Sequence, residues 1–235
     1  MNYETLTKIG IELVERGWAP DVIVRRAIRK LCAQRLSNLE TGDPESNSKR
    51  QQKFIDASRQ GPIALVPEKA NEQHYEVPAE FYKNVLGSHR KYSCCYWPEG
   101  VETLDEAEAS ALSETCQHAD IQDGMSILEL GCGWGSLTLW LAENYPDSRI
   151  TAVSNSHSQR EYIEQQAEAR GVADRIQVIT ADMNEFIPEE TYDRVVSVEM
   201  FEHMRNYEQL LQRIACWLNE QGKLLIHVFC HREFA

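Results

Sequence analysis

The run Glu199-Met200-Phe201-Glu202-His203-Met204 places two carboxylates and an imidazole within five residues, directly after the predicted strand 193–198. Groups of this kind sharing a cleft can bind a cation and pass a proton near neutral pH. Turn capping is the structural alternative. Metal binding is a third reading, but Glu-x-x-Glu-His lacks the i, i+4 histidine pair of a zinc helix, so no metal centre is assigned. The second chemically loaded stretch is SILELGCGWGSLTLWL, residues 126–141. Ile127, Leu128 and Leu130 read as a short strand that runs into Gly131, Gly133 and Gly135, and Leu137, Trp140, Leu141 and Tyr145 follow at helical spacing. Such a turn lets backbone N–H groups approach a ligand with no Cβ in the way. Glu129, inside it, repels phosphate and suits a cationic amino-acid cofactor. Ser136 stands where the dinucleotide fingerprint has its third glycine, which weakens a nicotinamide reading. A ligand-free βα turn is the alternative.

These residues need a scaffold, and the pattern from Ile121 onward supplies one. Strands are predicted at 126–131, 149–154, 175–180, 193–198 and 223–229, with helices at 136–145, 157–170 and 206–219. The helix from 157 opens on overlapping capping boxes, Ser156 with Gln159 and Ser158 with Glu161, and ends at Gly171. The last helix carries Tyr207, Leu210, Leu211, Ile214, Trp217 and Leu218 at core spacing. Alternation of this kind predicts an α/β fold, a Rossmann-like doubly wound and mostly parallel sheet, with ligands beyond the carboxyl ends of the strands. One cleft then receives Gly131–Gly135, residues 154–156, Asp182 with Met183, and Glu199–His203, with His227 near the end of the fifth strand. Asp182 can bond an adenine amino group or cap a turn. Many adenosine-binding sheets carry a ribose-holding carboxylate after the second strand; here SNSHSQ leaves that task to Asn155 and Gln159.

Upstream, residues 3–16 and 21–36 read as amphipathic helices, the second with Arg25, Arg26, Arg29 and Lys30 beside an Ile23–Ala27–Ile28–Leu31 face. Residues 37–53 are polar, contain Gly42 and Pro44, and are predicted to be a loop. After a short apolar piece at 61–67 comes an aromatic-rich segment that either staples the helices to the core or walls a pocket for a cationic group. A helix is expected over 103–119. The division is a helical cap at 1–120 and a cofactor-binding core at 121–235.

Of the 235 residues 42% are hydrophobic, and the net charge is −13. Residues 1–60 hold 11 Lys/Arg against 8 Asp/Glu, while the remainder holds 13 against 29. So acidic a body disfavours nucleic acid and anionic membranes and tolerates cationic ligands. No apolar run reaches the ~18 residues of a membrane span, and no secretory signal opens the chain. Seven scattered cysteines without zinc-ligand spacing read as reduced thiols, hence a cytoplasmic location. A homodimer is compatible with all of this.

Three blocks carry a family resemblance: HYEVPAEFY (74–82) with YSCCYW (92–97), LELGCGWGSL (128–137), and SVEMFEHMRNY (197–207) with HVFCHREFA (227–235). Together they resemble the cyclopropane-fatty-acid-synthase superfamily of class I S-adenosylmethionine-dependent methyltransferases, and within it the coclaurine N-methyltransferase-like branch. The resemblance implies methyl transfer from S-adenosylmethionine to the nitrogen of a small, benzylisoquinoline-type amine. By position it implies that Tyr92 and Ser93 embrace the methionine end of the cofactor and that Gly131 and Gly133 give its backbone approach. Asn155 and Gln159 would hold the ribose, and Asp182 and Met183 the adenine. Glu202 and His203 look like the acid/base pair, with Glu199 close to the amine and Tyr75 and Glu76 bordering the substrate. The runner-up is cyclopropanation of unsaturated phospholipid chains, where Cys94, Glu202 and His227 match a bicarbonate-holding set. Against that family the sequence is C-terminally truncated, lacking the last strands, so a five-stranded sheet with an open edge is expected. A chain that binds the donor better than it turns over, or an inactive relative, is the corresponding expectation.

Overall fold

The computed structural model describes residues 3–39, 43–65 and 79–230. Two compact units are present, one containing the helices up to Ile55, the other running from Asp56 to Cys230. The first holds α1 (Tyr3–Glu15), α2 (Asp21–Leu39) and most of α3 (Pro44–Gln60). Here the sequence expectation of a loop over 37–53 fails. α2 continues to Leu39, and α3 begins at Pro44 because Asp43 accepts the backbone N–H groups of Glu45 (3.2 Å) and Ser46 (3.1 Å). A capping aspartate followed by proline at the first helical position starts a helix without apolar periodicity.

The second unit is built on five parallel strands: β1 (Ser126–Leu130), β2 (Arg149–Ser154), β3 (Ile176–Thr180), β4 (Tyr192–Val198) and β5 (Leu218–His227). Their order is β3-β2-β1-β4-β5. The helices are α4 (Ala79–Val85), α5 (Leu104–His118), α6 (Ser136–Asn144), α7 (His157–Ala169) and α8 (Tyr207–Trp217). Alternation along the central strands feeds two cores. Leu128, Leu130 and Val195 pack with Leu210, Ile214 and Trp217 of α8 on one face, while Ile127, Ile150 and Val196 pack with Leu112, Leu137 and Leu141 on the other. Arg194, 5% exposed in β4, donates to the carbonyls of Ala119 (2.7 Å) and Asp120 (2.7 Å), fastening the end of α5 to the sheet.

The expected sheet is therefore present, and its C-terminal boundaries shift. α8 stops at Trp217 and β5 starts at the next residue. Tyr192 pairs with Leu218 and Arg194 with Lys223, so residues 219–222 form an irregularity in the ladder. Asn219 bonds the Asp193 carboxylate (2.8 Å), and a Cβ on Gly222 would lie 2.9 Å from the backbone of Asn219 and Tyr192. That close approach explains the glycine there.

Candidate active site

Chain connections reverse direction between β1 and β4, since β1 leads to β2 and β3 on one side and then to β4 on the other. A crevice opens at such a switch point beyond the carboxyl ends of the strands. A cavity of about 480 Å³ lies there, walled by three segments together with Leu112 and Thr115 of α5.

The first wall is the turn after β1. Gly131 has φ +80°, and a Cβ there would meet Met200 at 2.7 Å, so this glycine serves packing. Gly133 has φ +53°, and no atom of the described residues lies within 4 Å of where a Cβ would stand. Of the two, Gly133 is where the chain leaves room for a ligand to approach its backbone. Glu129, 4% exposed, is the acidic member of this wall; its carboxylate accepts from the Thr138 hydroxyl (2.5 Å), and burial pushes its pKa up to about 7. Ser136 Oγ and Trp134 Nε1 are buried and have no hydrogen-bond partner among the described residues, and both residues line the cavity.

The second wall, Arg90–Ser93, precedes a helix that holds it in place. Glu108 of α5, 0% exposed, accepts the backbone N–H groups of Gly87 (2.9 Å), His89 (2.9 Å) and Lys91 (3.2 Å). Asp105 accepts that of Ser88 (2.6 Å). A Cβ on Gly87 would lie 2.6–2.7 Å from these carboxylate oxygens, so the loop closes over α5 only with glycine there. Lys91 is buried; its ammonium donates to Ser93 Oγ and the Cys94 carbonyl (2.8 Å), and burial holds it below the usual lysine range. Tyr92 meets Tyr82 edge-on (4.9 Å between centroids), and Tyr82 lies against Trp134 (5.2 Å). Within this segment Tyr82 is buried against the glycine turn and Tyr92 lines the cavity.

The third wall follows β4: Val198, Glu199, Glu202 and His203, with Phe229 beyond β5. Arg205 donates its N–H to the Ile63 carbonyl (2.7 Å), and the Asn206 side chain donates to those of Arg59 (3.0 Å) and Gly61 (2.9 Å), which seat this loop. Glu199 is half-buried at φ +55°; its N–H donates to the His227 carbonyl (2.8 Å) and its Oε1 accepts the Cys94 N–H (3.3 Å). Cys94 Sγ stands 3.6 Å from His227 Nε2. Glu202 and His203 sit on a 3-10 turn, Phe201–His203, with side chains exposed rather than buried as a post-strand position suggested. That turn lifts them off the sheet, while Phe201 fills the core beneath. Glu202 Oε1 accepts the Phe229 N–H (2.6 Å), so the carboxylate between Cys94 and His227 belongs to Glu199 and not to Glu202.

Tyr92, Ser93, Glu129, Gly131, Gly133, Glu199, Glu202 and His203 therefore share one cavity. Asn155, Gln159, Asp182 and Met183 follow β2 and β3 at the same end of the sheet without lining it. Gln159, 1% exposed, accepts from Ser154 Oγ (2.5 Å), and its buried Nε2 has no partner among the described residues. Asp182 accepts from the Asn184 backbone (2.8 Å) and side chain (3.0 Å), and Met183 lies in the core. Tyr75 and Glu76 fall outside the described residues. Lys91 and Glu108 were missed from sequence. A lysine next to Tyr92 was the available signal for the first; for the second there was none, since a helical glutamate reads as solvated.

Fold and site together define a class I methyltransferase-type α/β domain with a Rossmann-like sheet. The chain belongs to the mycolic acid cyclopropane synthetase family, whose model matches residues 66–234. It is 40% identical over 225 residues to an (S)-coclaurine N-methyltransferase of Thalictrum flavum subsp. glaucum, covering 96% of this chain and 62% of that protein. The crystal structure of a coclaurine N-methyltransferase bound to N-methylheliamine and SAH superposes with a TM-score of 0.88 at 40% identity, over 98% of this chain and 66% of that one. A mycolic acid cyclopropane synthase complexed with SAH and CTAB gives a TM-score of 0.62 at 28% identity, over 69% and 57% of the two chains. The chain thus spans somewhat under two thirds of the length of these coclaurine N-methyltransferases. Among the described residues no helix is long and apolar enough to cross a membrane.

Proposed function

We propose that this chain binds S-adenosylmethionine in the cavity at the switch point and transfers its methyl group to the nitrogen of a small amine. One juxtaposition carries the reading: a buried carboxylate and an open glycine turn line the same cavity as Glu199, Glu202 and His203. The chemistry of the walls fits a zwitterionic donor. Glu129 attracts an ammonium, and Arg90, Lys91 and Ser93 across the cavity suit a carboxylate. The Tyr92 ring offers a face to a sulfonium. Gly133 leaves the main chain accessible, and the unpaired Ser136 Oγ and Trp134 Nε1 are polar groups a ligand can satisfy. Asn155 and Gln159 would hold the ribose and Asp182 and Met183 the adenine, in the order in which β2 and β3 extend from β1.

When bound, the cofactor supplies an already activated methyl group, so the chain's task is to present a neutral amine in line with it. An alkylamine with a pKa several units above 7, by analogy with lysine, arrives protonated. Glu199 and Glu202 attract that ammonium, and His203 beside Glu202 accepts its proton. Exposure of Glu202 and His203 lets the proton pass on to solvent between turnovers. Similarity to coclaurine N-methyltransferases supports an alkaloid-like amine. The remainder of the reading is a cytoplasmic chain with a small-molecule partner and no nucleic-acid partner, able to pair as a homodimer.

An assay with a panel of secondary and tertiary amines and mass detection of the methylated product tests this. Vesicles containing an unsaturated acyl chain form the comparison arm. Product mass on an amine supports the reading; a cyclopropanated lipid with no amine product overturns it.

A further inference from the structure

We propose that Cys94 Sγ, the Glu199 carboxylate and His227 Nε2 form a binding site for a borderline-soft divalent metal ion, zinc above all. No metal centre is visible in the sequence, because the three residues come from a loop before α5, the end of β4 and the end of β5. The fold brings one ligand atom from each to within 4.8 Å of the others. A tetrahedral zinc with bonds of about 2.3 Å to sulfur and about 2.0–2.1 Å to nitrogen sets those two atoms about 3.6 Å apart. Cys94 Sγ and His227 Nε2 stand 3.6 Å apart. That edge of the coordination polyhedron already exists.

The third donor is fixed by the backbone. Glu199 holds a left-handed φ of +55°, unusual for a residue with a Cβ, and its N–H is tied to the His227 carbonyl at 2.8 Å. The Cys94 N–H donates to the same glutamate's Oε1 at 3.3 Å, which orients the carboxylate as an outer-shell donor does. Thiolate, imidazole and carboxylate together match zinc, and oxygen-only cations such as magnesium gain nothing from sulfur. Three protein donors leave a fourth position for water or a small molecule. Cys94 is exposed and Glu199 and His227 are half-buried, so an ion reaches them without opening the core. Glu199 also lines the cavity, so a held ion would engage a carboxylate assigned above to the amine. That consequence rests on the proposed function, whereas uptake of the ion does not.

Cobalt(II), a spectroscopic stand-in for zinc, is titrated into the full 235-residue chain, followed by zinc as competitor. One equivalent giving a near-ultraviolet thiolate-to-cobalt charge-transfer band that zinc abolishes is the expected result. Cys94→Ser should remove the band. Glu199→Gln and His227→Asn should each weaken uptake by more than the ~10-fold that loss of an outer-shell partner costs. Cys216→Ser and Cys230→Ser, at the other exposed thiols of this unit, should keep it. Circular dichroism shows which variants are folded, and any folded variant among the first three decides the matter. A chain that takes up no cobalt, or a band that survives in Cys94→Ser, overturns the site and leaves a thiol–imidazole contact only.

Discussion

The Thr138 hydroxyl donates to the Glu129 carboxylate across 2.5 Å, and both side chains are sealed from solvent, at 0% and 4% exposure. One hydroxyl does not replace the water lost by an anion, and burial therefore pushes Glu129 up to about 7. Below about pH 4.5 the group is protonated in both folded and unfolded chains and contributes nothing to pH dependence. As pH rises the unfolded chain releases its proton first, so folding stability falls until about pH 7 and is flat beyond. At about 1.4 kcal/mol per tenfold change, the loss is about 3 kcal/mol. Urea unfolding of the ligand-free chain at pH 5 and pH 8 should show this decline, and Glu129→Gln should abolish most of it.

Donor binding should follow the same group with the opposite sign. An ammonium brought beside Glu129 favours its charged form, so binding releases a proton below pH 7 and affinity rises from pH 6 toward 7. The donor's own α-amino group, ordinarily near 7.7–8.0, sets the upper limit. Calorimetry across pH should give an affinity maximum between about 7 and 8. Glu129→Gln should flatten the lower arm.

Glu108 gives a positioning test. Its carboxylate answers three backbone N–H groups of the loop that carries Lys91, Tyr92 and Ser93. Glu108→Ala leaves those donors without an acceptor, at about 1–3 kcal/mol each where they stay buried. Hydrogen exchange at Gly87, His89 and Lys91 should accelerate, and donor affinity should fall, while the amides of β1 and β4 stay protected.

Gly131 and Gly133 should fail in different ways. Gly131→Ala forces a Cβ within 2.7 Å of Met200, so stability falls by the ~1–3 kcal/mol typical of overpacking. Gly133→Ala meets no neighbour among the described residues, so its expected stability cost is the ~1–2 kcal/mol of a left-handed backbone. Its methyl group stands where the ligand is proposed to lie, and donor binding should suffer more than the fold does.

Removing the proton acceptor should separate chemistry from binding. Glu202→Ala with His203→Ala is expected to lower methyl transfer by ~10²-fold or more while the donor still binds. Near-full turnover in that double variant would sink the assignment.

Much of this arrangement is legible in the chain. Strand runs buried on both faces, the glycine turn and the Leu210–Ile214–Trp217 spacing all obey local periodicity, and the sheet they predict is the one present. Elements held by polar contacts are harder to read. α3 lacks an apolar stripe and starts from the Asp43 cap, and the step from α8 straight into β5 depends on an irregular ladder at Asn219–Gly222. Site residues follow the same division. Residues after β1 and β4 reach the cavity and those after β2 and β3 do not line it, while Glu108 acts through backbone groups 17 to 21 residues away, and Glu199 meets Cys94 across 105. A one-residue choice, Glu199 over Glu202, turned on a left-handed φ that no side-chain pattern announces.

The most direct test of the central claim is calorimetric titration of S-adenosylmethionine into the 235-residue chain at pH 7.5, about the middle of the window set by Glu129 and the donor's amine. Saturable heat with one site per chain, weakened by a valine at position 133 in a variant that remains folded, is the predicted result. No saturable heat, or equal heat in that variant, would contradict a donor lying over the glycine turn.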